Sequence, residues 1–233
     1  MQFYDPILYN CICEIRFEPR FIYHGKRYEI CEKFQNKLPN WNIDVGKIEL
    51  NDSFGKKEED RKNFFRFTNR GASLNTHNAG VYENFKSLAE FIFPKIIEGL
   101  GLVKLDRVGI RSFFIFQSDS GFLDLKDFLF NKLYNFEVKS NNIFGEITDI
   151  AYIINTKKNN FDLHIEIGPL KKEEIMNRFG FVGKIAPEVS ILLDLDCSKK
   201  NVESNIFLNI LKEHKEIIND IQVDLLNYLK KEK

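Results

Sequence analysis

No catalytic signature is present in this sequence. Gly-x-Ser-x-Gly, Gly-x-x-x-x-Gly-Lys and His-Glu-x-x-His are all missing, which leaves no serine elbow, phosphate-cradling loop or helical zinc pair to assign. Neither sign of charge is in excess: Lys plus Arg and Asp plus Glu both number 34. A protein that coats a polyphosphate carries a basic surplus, because released counterions supply most of its affinity. Indiscriminate nucleic-acid binding is therefore disfavoured, although a local basic groove is not. Long hydrophobic runs are missing too. The longest mostly apolar stretches, such as Ser112 to Phe116 and Val189 to Leu195, fall far short of the roughly 20 residues that cross a bilayer, so no membrane association is expected. Cysteine is scarce, at Cys11, Cys13, Cys31 and Cys197. The opening MQFYDPILYNCICEIRF has no basic region followed by a long apolar run, so a reducing cytoplasm is the simplest expectation. No second Cys or His pair has ligand spacing. Cys11-x-Cys13 therefore reads as two small core residues on one strand face rather than half a metal site.

What is present is material for a large core and an internal repeat. Apolar residues make up 43% of the 233, and 23 are phenylalanine, enough to remove a large area from water. The length suits one large domain, or two halves that share a core. Phe34-Gln35-Asn36-Lys37-Leu38-Pro39-Asn40-Trp41 aligns with Leu129-Phe130-Asn131-Lys132-Leu133-Tyr134-Asn135-Phe136, and at the same offset Glu14-Ile15-Arg16 meets Gly109-Ile110-Arg111. Residues 1–101 and 102–233 are therefore expected to be two copies of one unit within a single pseudo-symmetric domain.

Hydrophobic periodicity supplies the elements. A strand is predicted over Leu8–Phe17, then a helix over Lys26–Leu38 closed by Pro39, then strands Ile43–Leu50, Asn63–Thr68 and Ala72–His77, with Asn69-Arg70-Gly71 as a hairpin turn. The charged run Gly55–Lys62 reads as a solvated loop. A helix over Glu83–Gly99 is expected to kink at Pro94 and to be capped by Gly99 or Gly101. The second half repeats the order: strand Leu105–Gln117, helix Leu123–Leu133, then strands Phe144–Asn155, Phe161–Gly168 and Val189–Asp196. Asn155–Asn160 is a polar turn, Gly168–Lys184 an irregular insertion, and Val202–Lys230 a last helix about 40 Å long. The fold class is α+β: two tandem β-α-β(3–4)-α repeats forming a curved antiparallel sheet with helices on one face. This arrangement resembles TATA-binding-protein-like or helix-grip architectures, a likeness of fold that fixes no function.

Strand alternation sends Glu14, Arg16, Arg107 and Arg111 to the sheet face away from the helices, with Phe64 and Arg66 from a neighbouring strand and His164 and Glu166 from the second half. One reading is a polar groove whose arginines bind an anion, a nucleic-acid backbone or an acidic partner segment. The other is a solvated face of cross-strand ion pairs, each worth little. Asp194-x-Asp196 puts two carboxylates on one face at the end of an apolar strand, as in divalent-metal enzymes, or caps the chain before the last helix. His164-Ile165-Glu166 lacks the further ligands a metal needs, and His24, His77 and His214 read as surface or packing residues. Phe113 and Ile115 either stack bases or belong to a second layer of core or a dimer interface.

Three motifs are shared with a family of proteins: Asp5-Pro6 with Glu14-Ile15-Arg16-Phe17-Glu18-Pro19, Arg107-Val108-Gly109-Ile110-Arg111, and Leu192-Leu193-Asp194-Leu195-Asp196 before a long helix bearing His214. The chain thereby resembles a sporadically distributed prokaryotic family of similar length and unassigned function. It departs from that family at Ser112-Phe113-Phe114, where a Tyr-x-Asn is expected after the arginine, and in a shortened C-terminal half. Patchy distribution implies mobile or defence-linked genes, and no catalytic residues come with the resemblance. The expected function is a non-enzymatic binding or accessory protein, of a defence or toxin–antitoxin type, that holds a protein or nucleic-acid partner in the groove without a cofactor; a homodimer is compatible with it. The alternative is a small-molecule sensor or metal-dependent enzyme with a pocket near Asp194, Asp196 and His164.

Overall fold

A computed structural model describes residues 1–51, 63–133, 148–179 and 187–230. The predicted loop Gly55–Lys62 lies outside them, as do the start of the strand predicted from Phe144 and the end of the insertion predicted to Lys184. β1 (Ile7–Arg16) alternates as its sequence demands. Cys11, Cys13 and Ile15 are fully buried on one face, and Ile12, Glu14 and Arg16 point the other way. A bulge between Leu8 and Asn10 inserts Tyr9 and re-aims the strand's first turn.

α1 (Ile22–Glu32) starts earlier and ends sooner than the spacing predicts. Beyond it the chain tightens into bonds three residues long, Phe34 N–H to Cys31 and Lys37 N–H to Phe34. This winding buries both Phe34 and Leu38 before Pro39 stops it. The strand predicted over Ile43–Leu50 is a hairpin, β2 (Asn40–Ile43) and β3 (Lys47–Asn51), because Asp44 and Gly46 turn the chain. β4 (Asn63–Thr68) and β5 (Gly71–Gly80) flank the expected Asn69-Arg70 turn. α2 (Tyr82–Gly99) runs through Pro94. It closes at Gly101, where φ is +61°, with Leu102 N–H on the Ile97 carbonyl and Gly101 N–H on that of Glu98, the paired bonds of a Schellman cap.

β6 (Lys104–Gln117), α3 (Phe122–Leu133) and β7 (Tyr152–Lys158) follow, and Asn159 and Asn160 take positive φ at the next hairpin. Three corrections fall in the last third. β8 (Phe161–Lys171) continues through Pro169, and the supposedly irregular insertion holds a helix, α4 (Lys172–Phe179). β9 (Val189–Glu203) runs seven residues beyond Asp196, since the 14-residue β6 offers it a partner along its length. The last helix, α5 (Phe207–Lys230), therefore begins after a short 3-10 turn rather than at Val202.

All nine strands of the described residues pair antiparallel in one sheet, in the order β2-β3-β4-β5-β1-β6-β9-β8-β7. Read outward from the β1/β6 junction, one side runs β1, β5, β4, β3, β2 and the other β6, β9, β8, β7. At the junction Glu14 faces Gly109 directly, two positions separated by the 95 residues of the repeat. The main core lies between the sheet and α1, α2, α3 and α5. Helices do not keep to one face, however: Ile175 of α4 packs with Tyr9, Phe113, Ile115, Leu170 and Leu192 on the opposite side. Phe113 and Ile115 are thus a second core layer. Among the described residues no helix is long and apolar enough to cross a membrane.

Candidate functional site

The sheet face away from the main core is a lattice of charged and small side chains fixed by strand register. One row crosses the sheet perpendicular to the strands: Glu49, Arg66, Ser73, Glu14, Gly109, Ser198, Asp162 and Lys157. Two features stand out. Its centre, Ser73, Glu14, Gly109 and Ser198, sets one carboxylate among small residues, and outward from it the charge order inverts, Arg66 then Glu49 on one side and Asp162 then Lys157 on the other. The next row toward Asp196 reads Ile12, Arg111, Asp196, His164 and Asn155.

All seven residues singled out from the sequence (Glu14, Arg16, Arg66, Arg107, Arg111, His164 and Glu166) lie on this face, in two linked groups and two separate pairs. Arg107 reaches Glu14 at 3.6 Å and Asp196 at 3.5 Å, and Arg16 also pairs with Glu14. Gly109 makes this possible. A Cβ there would stand 2.6 Å from Arg107 Nη1, so the guanidinium lies in the space a side chain would fill. The second group centres on Asp194, whose carboxylate is fully buried. Arg111 grips it bidentately, Nε to Oδ1 at 2.8 Å and Nη2 to Oδ2 at 2.6 Å, and Arg178 adds a bond to Oδ2 at 3.2 Å. Arg178 also approaches Glu166 at 3.7 Å, and both guanidinium groups lie over the Phe113 ring, at 4.8 and 5.8 Å. One separate pair is Arg66 with Glu49 at 2.9 Å. His164 Nδ1 meets the Asn155 side-chain oxygen at 2.8 Å.

The electrostatics follow from these contacts. The Asp194 bonds raise the Arg111 guanidinium further above its already high value, against the opposing effect of burial. Burial pushes Glu49 up, but bonds from Lys47 and Arg66 outweigh it and hold the carboxyl below its usual range. The arginines are anchored on their inner edges and open on their outer ones, with side-chain exposures of 60% for Arg16, 50% for Arg66, 40% for Arg111 and 36% for Arg178.

Two shallow depressions open on the face. One, of about 390 Å³, is lined by Glu14, Arg16, Arg66, Thr68, Arg70 and Ser73 among others. The other, of about 320 Å³, is lined by Asn155, Lys157, Asp162, His164, Asp196 and Ser198 among others. The first sets three guanidinium groups against one carboxylate. The second sets two carboxylates against one ammonium and an imidazole. Asp194 and Asp196 do share a face, but they stand in mid-strand rather than at its end, so neither caps the chain before the last helix. Both Asp194 oxygens accept from guanidinium, which supplies the positive charge a cation would bring. No cluster of three or more His, Cys, Asp or Glu suited to a metal occurs among the described residues.

Sequence reasoning missed Arg178, Arg70 and the two serines of the central row. Arg178 was hidden in a segment without strand periodicity, and only the docking of α4 brings it to Asp194. The serines were findable from alternation alone, since Ser73 and Ser198 share parity with face residues on β5 and β9, but small neutral side chains carry no chemical signal. No family model matches the sequence, and no curated protein is similar to it.

Proposed function

We propose that this protein is a non-enzymatic binding module that holds a polypeptide partner across the polar face of its sheet, as an accessory protein of the defence or toxin–antitoxin type that the family resemblance implies. The observation that carries this reading is the inversion of charge across the face, with a basic depression on one side of the β1/β6 junction and an acidic one on the other. A nucleic-acid backbone has one sign of charge along its length and is repelled by Asp162 and Asp196. A polypeptide supplies both signs. Guanidinium groups already held by carboxylates lose little further freedom when a partner binds, which is where preorganisation contributes affinity.

The architecture that presents this face is, on the same reading, a duplication. Residues 1–101 and 102–233 descend from one β-α-β(3–4)-α unit, in the manner of TATA-binding-protein-like folds. The 95-residue offset of the repeated motif and the direct pairing of Glu14 with Gly109 support it. A small-molecule sensor or metal-dependent enzyme at Asp196, Asp194 and His164 is the second reading, favoured by the 320 Å³ depression beside His164.

Photo-crosslinking in native cells, with a crosslinking residue placed at Ser73 or Ser198, tests the main proposal. The expected product is one polypeptide whose capture is lost in the Arg16→Ala, Arg111→Ala double variant while the variant stays folded. Crosslinks only to nucleic acid, or capture indifferent to both substitutions, would remove this reading.

A further inference from the structure

The basic depression has a more specific content than the face as a whole. Its walls come from β1, β4, β5 and the β4/β5 turn, which place Arg16, Arg66 and Arg70 around the hydroxyls of Ser73 and Thr68. Arg16 is paired with Glu14 and Arg66 with Glu49. The Arg70 side chain and the Ser73 hydroxyl have no partner among the described residues. Thr68 Oγ1 donates to the Gly71 carbonyl and accepts from the Arg70 amide, which fixes the turn carrying Arg70. The depression thus combines two anchored guanidinium groups, one unengaged guanidinium and one unengaged hydroxyl, around a space large enough for several heavy atoms. Glu14 and Glu49 are both occupied in anchoring arginines. Three guanidinium groups lining one space, two of them keeping N–H donors beyond their anchors, suit the planar, two-oxygen acceptor of a carboxylate.

We propose that this depression is an acceptor site for carboxylate side chains, and that the partner segment lying on the first half of the face is acidic. The inference rests on the polypeptide-binding reading and names the chemistry of one end of that partner. At the usual strand spacing, β5 under the basic depression and β8 under the acidic one stand about 19 Å apart. An extended segment of about six residues spans that distance. Its far end therefore lies against Asp162 and Asp196, where acidic side chains are disfavoured. The acidic part is confined to the near end.

The test uses the full chain and an acetylated, amidated tetraglutamate peptide as probe, followed through backbone amide shifts in NMR. Saturable binding is expected, with the shifts concentrated on residues 14–16 and 66–73. The Arg16→Ala, Arg66→Ala, Arg70→Ala triple variant is expected to weaken binding by about tenfold or more. A second triple variant, Lys26→Ala, Lys33→Ala, Lys86→Ala, removes the same charge from the helical side and should leave binding within about twofold. Ser73→Asp puts a carboxylate into the depression without removing an arginine and should abolish binding in a folded protein. Shifts scattered over the molecule, equal losses in the two triple variants, or tighter binding of a deoxythymidylate oligonucleotide of the same charge would overturn the proposal. If the peptide fails while partner crosslinking still requires Arg111, only the acceptor site falls. If crosslinking is also indifferent to the face, the polypeptide-binding reading falls with it.

Discussion

At the scale of single residues, the buried polar groups divide by what surrounds them. Asp194 is buried yet fully engaged, with two guanidinium groups on its two oxygens. His214 on α5 is buried among apolar groups, and Tyr82 lies 2.8 Å from its Nδ1. Tyr82 also reaches the Leu211 carbonyl at 3.2 Å. One hydroxyl proton cannot serve both at once, and the direction of the Tyr82–Nδ1 bond follows the imidazole tautomer. Burial pushes the imidazole down to about 3, whereas an unfolded histidine titrates near ~6.5. As pH falls the unfolded chain takes up this proton first. The stability His214 contributes is therefore whole above about pH 6.5 and is lost progressively from there toward about 3. Between pH 6.5 and 5 the loss amounts to about 2 kcal/mol. Urea unfolding at several pH values should show that difference between the protein and its His214→Phe variant; parallel pH profiles would contradict it. The sequence had His214 on the last helix as a packing or surface residue, and its i, i+3, i+4 relation to Leu211, Ile217 and Ile218 already implied the buried side. The tyrosine bonded to it lies 132 positions away and was not legible.

At the scale of elements, α4 is the departure from the expected plan. It is 8 residues long, too short to be stable alone in water, so its helical state depends on docking. Ile175 supplies the apolar anchor and Arg178 the polar one, three residues apart and so on the same face of the helix, where both meet Phe113. Ile175→Ala removes a fully buried side chain, a change that costs about 2–5 kcal/mol where the surroundings cannot close up. The expected effect is local. Amide exchange in residues 172–178 should speed up by about tenfold or more, while the exchange of β1 and β6 at the sheet centre stays within about threefold. Equal acceleration of both would mean that α4 is part of the global core. The shape of the basic depression should not change, because none of its walls belongs to α4.

At the scale of the whole molecule, one sheet runs unbroken through the β1/β6 junction. Cys13, Ile15, Ile110 and Val108 pack into the same apolar layer across it. Neither half could keep this layer alone, since separation would expose the full edges of β1 and β6. The chain is therefore expected to unfold as one cooperative unit. Its single tryptophan, Trp41, sits on β2 near the outer edge of the first half, which provides the measurement. Trp41 fluorescence and far-ultraviolet dichroism should give coincident urea curves, and an earlier fluorescence transition would show the halves parting.

Sequence alone determined the local alternation and hence which side chains share a face. The period of two on β1, β6 and β8 carries Glu14, Arg16, Arg107, Arg111, His164 and Glu166 to one side with no tertiary information. The period of 3.6 fixed α2 and α3 nearly to the residue, because each buries a continuous apolar stripe. What only the tertiary structure decided was pairing across distance: that Arg111 takes Asp194, that Arg107 lies over Gly109, and that Arg178 comes down from a helix on the polar side. It also decided where α1 stops and how far β9 runs. Those limits come from the partner strand and from the depth of the core, neither of which leaves a local pattern in the residues concerned.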